Sequence, residues 1–215
     1  MFATRAAAGR ALANQLEPDP DRTLQVLAVS REGIAVGVHV AAALGADIDL
    51  ICARYSAIAV MIESCRPYVE LERVMQLGLH AAEVNADLAD LQRQLARTLE
   101  VFRGQRPFPH IYDRHVILVD DGATPTRVLV AATKWIRAVG VGRSTVALPV
   151  CSLPALRALA AAADNVICLE EADRRGAYSD ADPVGELEAL TLLGRSRLAA
   201  SRVRFSTRTI TRDMT

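Results

Sequence analysis

Two adjacent carboxylates follow an apolar run near the middle of the sequence. Asp120 and Asp121 come directly after residues 116–119, and a glycine then opens a turn. Thr124 and Pro125 are predicted to be the N-cap and the first residue of the next helix. The N–H groups and the positive dipole end of such a helix start favour a phosphate, whereas neighbouring carboxylates favour sugar hydroxyls or a bound Mg²⁺. This segment therefore predicts a sugar-phosphate site.

The acidic pair also allows other interpretations. Two acidic residues after an apolar strand occur in P-loop ATPases, but these need G-x-x-x-x-G-K-[ST] upstream. The only lysine, Lys134, lies downstream, so the ATPase interpretation fails. Spacing alone also leaves open that Asp120 and Asp121 are ordinary solvated turn residues. Gly140 and Gly142 precede a strand instead of opening a helix, so we interpret them as a turn.

Short apolar runs alternate with helix-like stretches along the chain. The predicted strands are residues 24–29, 48–53, 116–119, 144–150 and 165–169. The predicted helices are residues 3–16, 34–44, 126–139 and 153–163. This alternation predicts an α/β fold with a mainly parallel sheet flanked by helices. Because ligands bind outside the carboxyl ends of such strands, we expect the chemistry in the loops that follow them.

One long amphipathic helix is predicted after Gly78. Its apolar residues recur every three or four positions: Val84, Leu88, Leu91, Leu95, Leu99 and Phe102. This stripe is either a docking face against the rest of the domain or a seam for self-association, since three heptads just reach coiled-coil length.

The composition excludes several classes of protein. A chain of 215 residues buries one substantial core, so we expect one domain. Its 25 basic and 25 acidic residues give no net charge, which argues against nucleic acid or a membrane surface as a partner. The apolar run at residues 34–46 is shorter than the roughly 20 residues of a membrane span. With no secretory signal pattern, we expect a cytoplasmic protein.

The C-terminal region changes from acidic to basic. Acidic residues between positions 170 and 188 surround glycine and proline, which predicts a mobile loop. From residue 195 onward six arginines stand against Asp213 alone. We therefore divide the chain into a domain, residues 1–194, and a basic tail, residues 195–215. This tail is either a solvated or partly disordered segment, or a binding element for RNA, phosphate or an acidic partner.

The run from residue 116 to residue 126 resembles the phosphoribosyl diphosphate motif of type I phosphoribosyltransferases. In that motif an apolar strand is followed by D-D-G-I-A-T-G-A-T and a helix. Further matches, including Gly9 in the opening helix and the turn at Gly45-Ala46, extend the resemblance over roughly residues 1–170. The resemblance implies a type I phosphoribosyltransferase-like fold, phosphoribosyl diphosphate as ligand, Mg²⁺ as cofactor and a homodimer.

The resemblance also implies a role for each site residue. Asp120 and Asp121 would contact the ribose hydroxyls. The turn at residues 30–33 would hold pyrophosphate through Arg31 and the Gly33 amide. The sugar 5′-phosphate would be bound by the loop after the acidic pair: Gly122, Ala123, Thr124, Thr126 and Arg127.

Three departures from the family pattern weaken the expected site. Glu32 replaces a glycine and puts a carboxylate where pyrophosphate would bind. Pro125 removes an N–H donor from the phosphate loop. Residues 54–57 replace a longer mobile loop that covers the reaction in the family. We therefore expect weak sugar-phosphate binding and slow or absent transfer to an unidentified acceptor; the alternative is a non-catalytic sensor or scaffold on the same fold.

Overall fold

The structure is a computed structural model that describes residues 2–172 and 183–210, with side chains as far as residue 199. Its helices are α1 (Arg5–Ala13), α2 (Arg31–Leu44), α3 (Leu71–Gln76), α4 (Ala81–Phe102), α5 (Thr126–Val139), α6 (Leu153–Ala160) and α7 (Glu186–Ile210). Its strands are β1 (Leu24–Ala28), β2 (Asp47–Leu50), β3 (Ala53–Tyr55), β4 (Ala59–Ile62), β5 (Tyr68–Val69), β6 (His115–Val119), β7 (Arg143–Cys151) and β8 (Asn165–Glu171).

Five parallel strands form the main sheet in the order β2-β1-β6-β7-β8. The predicted α/β class is confirmed, with helices on both faces. Strand β6 lies in the centre and is buried along its whole length. Its last residue, Val119, pairs with Ala28 on one side and Ala147 on the other. The acidic pair therefore leaves the sheet at its middle, between the loops after β1 and β7.

Alternate residues of the central strands supply two apolar layers, because successive side chains of a strand point to opposite faces. Val26 and Ile117 belong to the layer that packs with α1, α2 and α7. Leu27 and Leu118 belong to the layer that packs with α5 and α6. This alternation explains why the strands read as continuous apolar runs, since both faces of the sheet are covered.

A second, antiparallel sheet of β3, β4 and β5 was not predicted. The predicted strand at residues 48–53 is wrong in its last part, since β2 ends at Leu50 and the small sheet begins at Ala53. Here the Cys52 N–H donates to a Glu63 carboxylate oxygen (2.7 Å) and the Glu63 N–H donates to the Cys52 carbonyl (3.0 Å). These two hydrogen bonds stabilise the segment in which the chain leaves the main sheet and enters the small sheet.

The apolar stripe of α4 is a docking face within the chain. Leu91, Leu95 and Phe102 are buried, and α4 contacts β3 and β4. Just beyond the helix, Arg103 donates to both carboxylate oxygens of Glu63 (2.8 and 3.0 Å), so a buried ion pair also ties α4 to β4. Since the stripe is used inside the chain, it lends no support to the homodimer, which stays a prediction.

The C-terminal basic segment begins inside a helix. Helix α7 runs through positions 194 and 195 without a break, so the predicted boundary between domain and tail falls within one element. Arg197 of this helix donates to Asp49 at 2.8 Å, which ties the segment to β2 and corrects the prediction of a solvated tail for this part. Most of the predicted mobile loop, residues 173–182, and residues 211–215 lie outside the described residues.

In the part of the chain that the structure describes, no helix is both long enough and apolar enough to cross a bilayer. A cytoplasmic location stays a prediction of the sequence.

Candidate functional site

Asp120 is fully buried and acts as a hydrogen-bond hub at the end of β6. One carboxylate oxygen accepts from the N–H groups of Gly122 (3.0 Å) and Thr124 (3.1 Å). The other accepts from the hydroxyls of Ser30 (2.5 Å) and Thr124 (2.7 Å). This carboxylate therefore joins three elements: the end of β6, the loop that follows it and the start of α2.

Asp121 is also buried, with only 2% of its side chain exposed. Its carboxylate accepts from the Ala123 N–H at 2.9 Å and forms an ion pair with Arg5 of α1, Nε to Oδ2, at 3.3 Å. Burial and the neighbouring Asp120 charge raise the pKa of Asp121 to about 6, while the Ala123 N–H and Arg5 oppose that rise. Sequence reasoning missed Arg5, which lies 116 positions away.

The predicted phosphate loop is closed by these carboxylates. The N–H groups of Gly122, Ala123 and Thr124 all donate to the acidic pair, so none points outward at a ligand. Gly122 has φ +90°, and a Cβ there would overlap the Val150 carbonyl oxygen, so glycine is required at this position. Beside the loop lies a small cavity of about 170 Å³, lined in part by Thr126 of α5.

The start of α5 differs from the prediction. Its N-cap is Pro125, which offers no side-chain acceptor, while the Thr124 hydroxyl donates to Asp120 instead of capping the helix. Thr126 is the first helical residue. Since the first N–H groups of an α-helix have no intrahelical acceptor, the start of α5 still offers donors to an anion.

The predicted pyrophosphate turn at residues 30–33 is the N-terminus of α2, which begins three residues earlier than predicted. Ser30 is the N-cap, and its hydroxyl accepts from the Gly33 N–H at 2.8 Å, so that amide serves the helix cap and not a ligand. A Cβ at Gly33 would lie 2.8 Å from the Val119 carbonyl oxygen, which shows how closely α2 approaches β6. Arg31 is exposed and lines the neighbouring cavity.

That cavity, of about 460 Å³, opens at the carboxyl ends of β1 and β2 and reaches the loop after β6. Its charged lining residues in the described part of the chain are Arg31, Glu32, Arg54 and Glu186. Arg54 of β3 is half-buried and donates to the Ala53 carbonyl (2.8 Å) and to the Thr98 hydroxyl of α4. Burial, together with the charge of Arg31, lowers the pKa of Arg54, so the two guanidinium groups repel each other across the cavity.

Arg127, a predicted phosphate ligand, points away from the phosphate loop. Its guanidinium donates to the Ser56 carbonyl, lies 3.4 Å from a Glu70 carboxylate oxygen and stacks 5.7 Å from the Tyr55 ring centre. The prediction misplaced this side chain because α5 presents it toward the small sheet. Arg127 ties the β3–β4 hairpin to α5.

In this arrangement Asp120 does not fit a directly bound Mg²⁺. This ion needs carboxylate oxygens with free lone pairs, usually with several waters or substrate phosphates. Both oxygens of Asp120 accept two hydrogen bonds each, and both oxygens of Asp121 have protein partners. Among the described residues no three His, Cys, Asp or Glu side chains cluster as a metal site.

Comparison with known proteins finds relatives of low sequence identity. No family model matches the chain. Two curated proteins from Mycobacterium tuberculosis strains CDC 1551 / Oshkosh and H37Rv, each named “Putative phosphoribosyl transferase”, are 28% identical over 177 residues. The match covers 79% of this chain and 40% of the relatives, so the chain spans about two fifths of their length.

The chain is also similar in structure to solved proteins. The protein TT1426 from Thermus thermophilus shares the architecture, with a TM-score of 0.65 and 26% identity over 89% of this chain and 97% of that chain. A purine phosphoribosyltransferase from Pyrococcus horikoshii is more distant, with a TM-score of 0.41 and 15% identity over 75% and 78% of the two chains. The sequence relatives, together with the acidic pair at the end of the central parallel strand, support a phosphoribosyltransferase-type family for this chain.

Proposed function

We propose that this protein binds phosphoribosyl diphosphate, or a related sugar phosphate, at the carboxyl edge of the main sheet. One observation carries the proposal: Arg31 and Arg54 line the same cavity as Ala123 and Thr124 of the predicted phosphate loop. Two guanidinium groups that repel each other, of which that of Arg54 is half-buried, gain from an anion between them. A diphosphate matches the donor fork of arginine, so we assign the diphosphate end of the ligand to this cavity.

The 5′-phosphate is assigned to the start of α5. A phosphate bound there would compete with Asp120 and Asp121 for the N–H groups of the loop between Gly122 and Thr124, which these carboxylates now occupy. The same exchange would free the carboxylates to accept hydrogen bonds from ribose hydroxyls. The closed loop is therefore a resting arrangement in which the acidic pair stands in for the anion.

Transfer would be slow in this arrangement. In the family reaction the bond from the anomeric carbon to pyrophosphate breaks as a nucleophile bonds to that carbon, and pyrophosphate leaves with the bonding electrons. Glu32 lines the cavity where that negative charge grows and opposes it. The hairpin at Ser56 is short and held by a 2.6 Å hydrogen bond to Asp87, so it leaves little chain to shield the reaction from water.

Calorimetric titration with phosphoribosyl diphosphate tests the binding site without knowledge of the acceptor. R54Q should weaken binding by about tenfold or more, because a charge-assisted hydrogen bond is worth roughly 1.5–3 kcal/mol. R66Q is the matched control, since Arg66 is exposed on the connection from β4 to β5, away from the cavity. Equal binding by R54Q and the wild type, or no binding at all, contradicts the proposal.

A non-catalytic sensor is the second candidate, and the short, tethered hairpin favours it. Acceptor-dependent release of pyrophosphate, measured across purine and pyrimidine bases, separates the two functions. Binding without release for every base indicates a sensor. Release with one base, abolished in R54Q and retained in R66Q, indicates a transferase.

A further inference from the structure

Arg5 occupies a position that its own helix does not explain. It is the first residue of α1, where the Thr4 hydroxyl already caps the helix by accepting from the Ala7 N–H at 3.0 Å. The first turn of α1 holds no acidic residue, and a cation at this end is disfavoured by the helix dipole. Its side chain is nevertheless only 12% exposed and lies beside Asp121. The burial of this cation therefore serves a contact outside α1.

Close packing fixes the distance between α1 and the acidic pair. A Cβ at Gly9 would overlap the Val36 carbonyl oxygen of α2 and come within 2.9 Å of the His39 Cβ, so the two helices touch backbone to backbone. Helix α2 in turn carries Ser30, whose hydroxyl donates to Asp120. Arg5 therefore reaches Asp121 from α1, which packs closely on α2. Helix α2 is itself joined to Asp120 through Ser30.

We propose that Arg5 is a positioning residue of the sugar-phosphate site, which holds the Asp121 carboxylate in place to accept ribose hydroxyls. The inference rests on the proposed function and extends it to the N-terminal helix. It adds α1 to the loops at the strand ends as an element that shapes the ligand site.

The charges around Asp121 explain why this contact matters for binding. Burial disfavours ionised Asp121 most, and the like charges of Asp120 beside it and Glu32 from α2 add to that effect. Arg5 from α1 is an opposite charge that favours the ionised form. Without Arg5 the carboxyl would hold its proton to higher pH and would be a poorer acceptor for ribose hydroxyls.

The test follows the Asp121 carboxyl by ¹³C NMR across pH, with D121N to assign the signal, and measures phosphoribosyl diphosphate affinity over the same range. In R5Q the titration midpoint should rise by about one pH unit or more, and affinity at about pH 7 should fall by about twofold or more and return at higher pH. R5K retains the charge and should stay near the wild type. R10Q, on an exposed position of the same helix, should change neither readout.

Several outcomes would overturn the inference. R5M keeps the packing of the side-chain stem and replaces R5Q if that variant does not fold. An unshifted Asp121 midpoint and unchanged affinity in folded R5Q or R5M contradict a positioning role, as does a loss of thermal stability without a shift of the midpoint. A wild type that binds no phosphoribosyl diphosphate at any pH overturns the proposed function, and with it the site role of Arg5, whereas normal wild-type binding with an unaffected R5Q overturns this inference alone.

Discussion

Asp120 combines a structural role with its proposed role at the site. Four donors converge on a fully buried carboxylate, so its charge is compensated by hydrogen bonds from two other segments, Ser30 at the start of α2 and the loop residues Gly122 and Thr124. Ligand binding that recruits this carboxylate must first replace those bonds. Asp120 therefore stabilises the protein in the absence of ligand, in addition to its proposed role in the site.

D120N should lower the free energy of unfolding by about 2–4 kcal/mol, because an amide NH₂ would replace one of the two acceptor oxygens and leave the donors at that oxygen without an acceptor. Denaturant unfolding measures the change. D90N, at an exposed position of α4, should stay within about 0.5 kcal/mol of the wild type. A D120N protein as stable as D90N would contradict the role of hub.

The raised pKa of Asp121 makes stability depend on pH. The folded protein binds this proton more tightly than the unfolded chain, since the pKa rises from 3.8 to about 6. The resulting stabilisation is complete below pH 3.8 and is lost as the pH rises through about 6. The unfolding free energy of the wild type relative to D121N should therefore fall by about 2–3 kcal/mol over this range. A flat difference between the two proteins, measured by denaturant unfolding at several pH values, would contradict the shift.

Glu32 should weaken ligand binding while it stabilises the folded protein. E32Q removes a negative charge from the cavity, so phosphoribosyl diphosphate should bind about three- to tenfold more tightly. The same change should cost about 0.3–1 kcal/mol of stability, because Glu32 lies in the first turn of α2 where the helix dipole favours an anion. Calorimetry and thermal unfolding measure both effects. Weaker binding by E32Q would show that Glu32 helps to hold the ligand.

At the scale of elements, two glycines in helices should respond to alanine in opposite directions. G9A should destabilise the protein by about 1–3 kcal/mol, since its Cβ meets the backbone of α2. G194A should be neutral or stabilise by up to about 1 kcal/mol, because nothing lies within 4 Å of its Cβ in α7 and alanine is the better helix former. Thermal unfolding of both variants checks the prediction, which fails if they shift in the same direction.

Elements with a clear hydrophobic period were predictable from the sequence. The runs at β1, β6, β7 and β8 are confirmed to within one or two residues, and the stripe from Val84 to Phe102 lies within α4. The small sheet was missed because β3, β4 and β5 have four residues or fewer, too few for a period to emerge. The four-residue apolar run of β4 is the signal that could have revealed it. Helix α7 was missed because its arginines were interpreted only as charge.

At the scale of the whole molecule, long-range polar partners account for what the sequence could not supply. Asp120 and Asp121 were placed correctly at the carboxyl end of the central strand, because an apolar run predicts that location. Their partners, Ser30 and Arg5, lie 90 and 116 positions away, and no local pattern connects them. The direction of Arg127 likewise depends on a hairpin that was not predicted. Sequence thus placed the acidic pair in the sheet, whereas tertiary packing determined which of its neighbours hydrogen-bond to it.

The account as a whole depends on where phosphates bind, and an NMR titration of the wild type with phosphoribosyl diphosphate measures this directly. The predicted result is a shift of the Nε–H signals of Arg31 and Arg54 together with the backbone amides of residues 122–127, because the ligand bridges the cavity and the start of α5. Amides at the opposite edge of the sheet, such as Gly45, should not move and serve as the internal control. No shift at millimolar ligand, or shifts confined to that opposite edge, would contradict a sugar-phosphate site at the carboxyl ends of the strands.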